Sequence, residues 1–416
     1  MADGLRREVG LWWAVAYGVG TILGAGIYAL IGVATGKAGN LVWLSFALAA
    51  VIAAFSGLSY AKLSSIYPSS GAEYVYVENA FRSKFWAFVV GWLVLISSII
   101  SAATVAQGFG GYLSSILDIP VALGASALIV VLAIINYAGI KESLILNAIM
   151  TVIETIGVLI VIFLGVGYLG TVDYTQSPFG LEGVVGAVGV IFFAFIGFEG
   201  LVKIGDETKD AERTIPRALM ISLAITAVLY VLVAISVVSI VPYDQLAASS
   251  SPLADVALQA SGQEAYALLT IIALVATANT VLIILIASSR IAYGMSTRAA
   301  LPKLLSRIQP STGTPLMAIV LTTLASVAFC FLGGIELTAN VSNFTIFMVF
   351  LAVNLSVIQL SRGSKSIGRA YVLSAVVGSL TSVAMLTQFN WEVALLSILL
   401  TLSGAGLYRI MEMDLK

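Results

Sequence analysis

Two stretches of this 416-residue chain hold residues whose types and spacing could do chemistry. The first is Gly18-Val-Gly20-Thr-Ile-Leu-Gly24-Ala25-Gly26. Glycine is among the poorest helix formers, and Gly24-Ala25-Gly26 carries almost no side chain. Its backbone can therefore leave a helix and approach a ligand. N–H groups freed there form an anion site, helped by the dipole of the half-helix that follows. The second stretch holds Asn147, Thr151 and Glu154, which share one face of a helix. At membrane depth a carboxyl is costly when charged and unpaired. Glu154 there is either protonated or paired with a bound cation. It reads as a proton-coupling group, as a sodium ligand, or as a permanently protonated carboxyl hydrogen-bonded to a neighbour.

The glycine stretch admits two other readings. A dinucleotide-binding glycine loop needs a preceding strand and a soluble βαβ unit, and neither is present. Gly20 and Gly24, and again Gly32 and Gly36, also have the spacing of small-residue helix packing. Bare backbone at membrane depth is tolerated only where it lines a cavity, so a true break implies a site.

The composition decides what must position these residues. Hydrophobic residues make up 60% of the chain and charged residues only 10%, against roughly 25% charged in average usage. Apolar runs recur from end to end, each long enough to cross about 30 Å of hydrocarbon. Barrel strands would alternate instead. The chain reads as an all-α polytopic membrane protein with short connections and no soluble domain. It has no histidine and a single cysteine, Cys330, which removes disulfides, most zinc and haem sites and every histidine-based triad. No metal, cofactor or nucleic acid is expected. Acids and bases are too few for an intramembrane hydrolase, and no selectivity-filter motif supports a channel. The first apolar run is too long for a cleavable signal and lacks a clear cleavage site.

Twelve spans are expected, near 12–36, 41–60, 85–116, 121–139, 143–169, 184–203, 217–241, 265–293, 315–333, 339–360, 369–388 and 391–409. Trp12, Trp13, Trp43, Trp86 and Trp391 fall near span ends, as interfacial anchors do. With the N-terminus inside, every Lys and Arg except Lys37 lies in a cytoplasmic segment or helix end. The positive-inside rule thus places both termini in the cytoplasm.

The sixth span, "GVIFFAFIGFEGLVKIGDE" (189–207), suggests a second interruption: aromatics, then Gly197, then Glu199. Five spans separate the two breaks. Because five is odd, a second set of five would run with the opposite membrane orientation. Interrupted helices at matching places in two inverted halves point to a transporter binding site.

"GVGTILGAGIYAL" and "FFAFIGFE" resemble the two signature segments of the amino acid–polyamine–organocation transporters, and the sequence is most similar to the cationic-amino-acid-transporter-like branch. Further similarity lies in "YAKLSSIYPSSGAEYVYVENAF" (60–81), "GIKESLILNAIMTVIE" (139–154), "DETKDAERTIPRAL" (206–219) and "SSRIAYGMSTRAALPKLLSRI" (288–308). The resemblance implies the leucine-transporter-type fold: a 5+5 inverted repeat with helices 1 and 6 broken, plus two C-terminal helices. The repeats would cover 1–170 and 180–360, with helices 11 and 12 in 361–416.

The resemblance also implies secondary transport of amino acids by alternating access. Carried over by motif, Gly24, Ala25 and Gly26 bind the substrate carboxylate through backbone amides. Carbonyls around the breaks bind the ammonium, with Ile22 a contributor. Phe193, Ala194 and Ile196 are the matching positions on the sixth helix, and Phe195 is an aromatic gate or lid. Phe193 and Phe195 also read as ordinary packing aromatics. Two half-helix ends would hold a zwitterion without the cost of a bare charge in hydrocarbon.

Many relatives carry a lysine in the fifth span where this chain has Glu154, which reverses the charge. Thr277, Asn279 and Thr280 in the eighth span, or Ser288 and Ser289 nearer its inner end, are candidate partners for it. Thr151, Asn279 and Thr280 complete the expected ion-coupling group. Glu199 reads as a gate or as a structural brace for the cytoplasmic half-helix. No acid must face the substrate side chain, which favours small or neutral amino acids. The expected partners are an amino acid, a proton with sodium as the alternative, and the lipid bilayer of the plasma membrane. An ion-independent exchanger, or a carrier of cationic amino acids or polyamines, remains the competing reading.

Overall fold

The structure, a computed structural model, describes residues 9–68, 72–138, 140–298, 300–363 and 367–414, without the side chains of 140–148, 203, 205–207 and 412–414. Asn147 therefore lies outside the described side chains.

The described residues form sixteen α-helices and no strands. In chain order these are α1 (Leu11–Ile22), α2 (Gly26–Ala38), α3 (Val42–Ile66), α4 (Ala72–Phe81), α5 (Lys84–Ser114), α6 (Val121–Ala138), α7 (Ile140–Val166) and α8 (Gly180–Ile191). They continue with α9 (Ala211–Ile240), α10 (Tyr243–Ala248), α11 (Pro252–Ser261), α12 (Gln263–Thr297), α13 (Leu316–Phe331), α14 (Ile335–Ser361), α15 (Arg369–Leu386) and α16 (Trp391–Asp414). Helix alone is the expected outcome for such a composition, since in hydrocarbon every backbone group must be satisfied internally.

Among the described residues, ten segments are long and apolar enough to cross a membrane, and Leu11–Ile22 and Leu316–Phe331 are shorter apolar helices. One of the ten, Gly26–Ile66, is 41 residues long, about twice what a single crossing needs. It contains two helices, α2 and α3, joined by a tight turn at Gly39–Leu41. Trp12, Trp13, Trp86 and Trp391 are all exposed.

The packing has a clear centre. α5 is the most buried of the candidate spans, lying against α12 and α14. α3 lies against α9, α1 against α9, and α2 against α8. α15 and α16 are more peripheral, α15 against α14 and α3, and α16 against α5 and α14. Between helices, buried polar side chains find partners on the facing helix. Ser97 and Ser101 of α5 share Ser342 of α14, at 3.1 and 2.7 Å. Such bonds contribute about 0.6–2 kcal/mol each inside a membrane. The connection between α9 and α12 is not plain loop but holds α10 and α11. α10 packs on α2, and a Cβ at Gly32 would stand 2.6 Å from the carbonyl oxygen of Leu246.

Candidate functional site: two interrupted helices at the centre of the bundle

The first apolar run is interrupted at the glycines. α1 ends at Ile22, and the last carbonyl it satisfies near the break is that of Val19, by Leu23 N–H at 2.8 Å. α2 begins at Gly26, and its first backbone bond runs from Ala29 N–H to the Ala25 carbonyl at 2.9 Å. The N–H groups of a helix's first turn have no intrahelical partner. Here that turn is Gly26, Ile27 and Tyr28, all buried. Ala25 N–H already has a partner, donating to Thr280 Oγ1 of α12 at 2.9 Å.

The second interruption takes a different form. α8 passes at Phe192 into a 3-10 turn that ends at Phe195. Ile196 is then extended, with ψ of 132°, and Gly197 takes φ of +127° before a second 3-10 segment, Phe198–Glu207. Two facts make residue 197 a glycine. Its φ lies where side chains are strained, and a Cβ there would collide with the carbonyl oxygen of Thr21 on α1. Asn343 of α14 supports the turn from behind, donating Nδ2 to the Gly189 carbonyl at 2.6 Å. Phe192 is packed on Phe347, with ring centroids 4.3 Å apart.

These two breaks face each other. A Cβ on Gly26 would sit 2.6 Å from Ala194 Cα, so the backbones of α2 and the second break are in direct contact. Tyr230, fully buried on α9, joins them chemically. Its hydroxyl lies 2.6 Å from the Ile22 carbonyl and 3.1 Å from the Ala194 carbonyl, one at each break. Phe195 is fully buried beside it, its ring edge-on to Tyr230 at 5.3 Å. Phe193 turns the other way, into an apolar cluster with Ala25, Leu30, Ala278 and Leu282. Ile196 packs against the edge of that cluster. Sequence reasoning gave Tyr230 no role: it is a lone tyrosine in an apolar run. The only available signal is that a mid-span hydroxyl must find an acceptor.

Around this core the structure separates the residues grouped above as one coupling set. Asn279 Nδ2 donates to Thr151 Oγ1 at 3.4 Å, linking α12 to α7. Thr280 instead goes to the first break, through Ala25 N–H, and donates to the Ala276 carbonyl at 3.1 Å. Thr277 donates to the Ala273 carbonyl of its own helix, and Ser288 and Ser289 likewise bond within α12. Glu154 is fully buried, and neither carboxyl oxygen makes a hydrogen bond. Asn279 is its polar neighbour, and Asn279 Oδ1 also lacks a partner. The hydroxyls of Tyr28 and Tyr230 lie within electrostatic range of the carboxyl. The backbone of Glu154 is held as well, its carbonyl accepting from Tyr28 Oη at 2.6 Å. Glu199 lies just past the second break, where its Oε2 accepts from Gly197 N–H at 2.9 Å. That contact holds the carboxylate against the break itself. At the far end of α2, Lys37 Nζ pairs with Glu336 of α14 at 2.7 Å.

Residues 9–405 match the amino acid permease family. The chain belongs to that family. Among this permease's relatives is the branched-chain amino acid permease BcaP of Bacillus subtilis, 30% identical over 390 residues, covering 88% of this chain and 83% of the relative. The vacuolar cationic amino acid transporter 4 of Arabidopsis thaliana is 33% identical over 374 residues, covering 83% of this permease and 62% of the plant protein. A methylthioribose transporter of Bacillus subtilis is 27% identical over 380 residues, covering 86% and 82%. The permease is thus a multi-pass membrane protein of the amino acid–polyamine–organocation superfamily, and two of these three relatives are named as amino-acid carriers.

Proposed function

We propose that this permease is a proton-coupled secondary transporter of small or neutral amino acids, working by alternating access at the plasma membrane. The observation that carries the reading is Tyr230, whose hydroxyl bridges a carbonyl of each break. A zwitterion needs a cation hole and an anion hole a few ångströms apart. The Ile22 and Ala194 carbonyls supply the first, and the Tyr230 hydroxyl holds that place when substrate is absent. The N–H groups of Gly24, Gly26 and the first turn of α2 supply the second, at the positive end of the half-helix dipole. Ala25 N–H is tied to Thr280, so Ala25 positions the loop rather than binding the carboxylate. The side chain then points toward Phe193, Ile196 and their apolar neighbours. That wall favours neutral side chains and accords with the branched-chain specificity in the name of BcaP.

Twelve spans, with both termini cytoplasmic, are the topology of this reading. The pairings of α1 and α2 with the second broken segment, of α3 with α9 and of α5 with α12 support it. Each joins an element of residues 1–170 to the one five spans later in 180–360. Residues 361–416 add two peripheral helices. Phe195 closes over the substrate, and release of Glu199 from Gly197 N–H accompanies opening on the cytoplasmic side.

Glu154 is the coupling group, with Thr151 and Asn279 as its polar surround. Its carboxyl has no hydrogen bond in the structure and lies within electrostatic range of Tyr230, which bridges the breaks, and of Tyr28, which holds its backbone carbonyl. Binding of substrate displaces the Tyr230 hydroxyl and changes the field at Glu154, which links proton to substrate. The test is thermal melting of the purified protein with each of the twenty amino acids at two pH values. Binding raises apparent stability by mass action. Stabilisation by small or neutral amino acids, with pH-dependent size, supports the reading. Stabilisation by none of the twenty overturns it.

A further inference from the structure

A cavity of about 430 Å³, lined by no residue of either break, lies between α4, α5 and the last three turns of α12. Its volume falls in the roughly 300–1,000 Å³ range of small-molecule sites. Its walls carry separated charge. Arg290 enters from α12, partly buried, with an Nη1 that is shielded from solvent and has no hydrogen-bond partner. Arg298 follows two turns later on the same face and is braced over the Tyr74 ring, 5.4 Å from its centroid. Between them stands Gly294, where a Cβ would meet nothing within 4 Å. Two guanidiniums therefore flank open space.

The facing wall is α4. Glu73 lies there, 4% exposed, its Oε1 accepting from Tyr60 Oη at 3.2 Å. It lines the same cavity as both arginines, yet it forms no ion pair with either. A guanidinium nitrogen that is buried with an unmet donor is costly, even on a partly exposed side chain, and an ionisable residue inside a membrane protein marks a functional site by default. Guanidinium geometry suits a carboxylate, bound through two parallel N–H donors. The carboxylate of Glu73 repels polyanions such as phosphate or a lipid headgroup, and favours a ligand carrying a cation as well. Val94, Ile291 and Met295 complete an apolar lining.

We infer that this cavity is a second amino-acid site, in which Arg290 and Arg298 bind the α-carboxylate and Glu73 the α-ammonium. The inference rests on the reading of the protein as an amino-acid transporter. The two sites differ in chemistry: the central one uses backbone dipoles, and this one uses fixed side-chain charges. In the twelve-span topology the cavity lies at the cytoplasmic end of the bundle. There it holds substrate between the central site and the cell interior.

The test is the binding stoichiometry of tritiated L-leucine, L-alanine and L-arginine to the full chain in lipid nanodiscs. Two equivalents per chain are expected for whichever of the three binds. Gly294→Leu fills the cavity without touching a charge, and Arg290→Gln removes the carboxylate donor. Each should lower the stoichiometry to one while the melting curve stays cooperative, and agreement between the two guards against a folding defect. Two equivalents retained in both variants, or one equivalent in the wild type that neither variant alters, overturns the second site and leaves the central one standing. Binding of none of the three by the wild type overturns both. If sodium phosphate removes the second equivalent as readily as excess unlabelled amino acid does, the cavity is an anion site and the assignment of Glu73 fails.

Discussion

The hydroxyl of Tyr230 lies 2.6 Å from the carbonyl oxygen of Ile22, the last residue of α1 before the chain leaves its helix. The same hydroxyl is 3.1 Å from the Ala194 carbonyl at the other break. A phenol has one proton to give, so two carbonyls compete for it, as two acceptors around an ammonium would not.

Tyr230→Phe removes that proton and leaves two buried carbonyls without a donor. Losing a hydrogen-bond partner in a buried place costs about 1–3 kcal/mol. The melting temperature of the substrate-free protein should fall. The rise on adding a transported amino acid should be larger than in the wild type, because the ammonium supplies what the mutation took away. An unchanged melting temperature, or a smaller ligand-induced rise, would count against the stand-in role.

Gly26 and Gly197 should resist even alanine. At Gly26 the added methyl meets backbone, Ala194 Cα at 2.6 Å, which has no rotamer to yield. At Gly197 it meets the Thr21 carbonyl and an unfavourable φ of +127° together. Strain of this kind costs of order 1–3 kcal/mol. Uptake in proteoliposomes should be abolished in Gly26→Ala with the protein still folded, and Gly197→Ala should also lose stability in the melt. Gly406 of the peripheral α16, with open space at its Cβ position, is the control for a tolerated methyl.

How much of this was legible beforehand depends on the kind of signal. The interruption at Gly24-Ala25-Gly26 was readable because helix formation fails locally, for want of side chains. The fully helical, apolar architecture followed from composition. Tyr230 was not readable, since its partners are two carbonyls over thirty residues away in sequence, brought near only by packing. Thr280 parts from Asn279 for a geometric reason that a linear run of residues does not show. Neighbouring residues on a helix diverge by about 100°, so Asn279 faces Thr151 of α7 while Thr280 faces Ala25 at the break. Polar residues in one run of sequence therefore meet two different elements. The helices α10 and α11 lie in the connection between two expected spans, and at six and ten residues they are too short to stand out as spans, although α11 buries Leu253, Val256 and Ala257 on one face.

Glu154→Gln keeps the shape and removes the titratable proton. Substrate-induced stabilisation and counterflow exchange should survive, whereas accumulation driven by an imposed pH gradient should be lost. The wild type should take up substrate faster when the outside is acidified, since the proton moves with the substrate. The variant should show a flat pH profile. Gradient-driven accumulation equal to that of the wild type would remove Glu154 from the coupling.

The Lys37–Glu336 pair ties the end of α2 to the start of α14, with both side chains about 40% exposed: 36% and 46%. Exposed pairs contribute about 0–1 kcal/mol and weaken in salt. Lys37→Gln should therefore shift the melting temperature little. Its effect should appear as a faster exchange rate, with a wild-type difference that shrinks at high ionic strength. A loss of stability well beyond that range would show the pair to be structural instead.

The central claim is that the two breaks form one pocket that reads both ends of an amino acid. It is tested most directly by competition against uptake of the amino acid that best stabilises the protein, using its deaminated and its decarboxylated analogues. The account predicts that each analogue competes at least tenfold less well than the parent, about 1.4 kcal/mol per lost end. Tyr230→Phe should narrow the gap for neither. Competition by either analogue equal to that of the amino acid would contradict it.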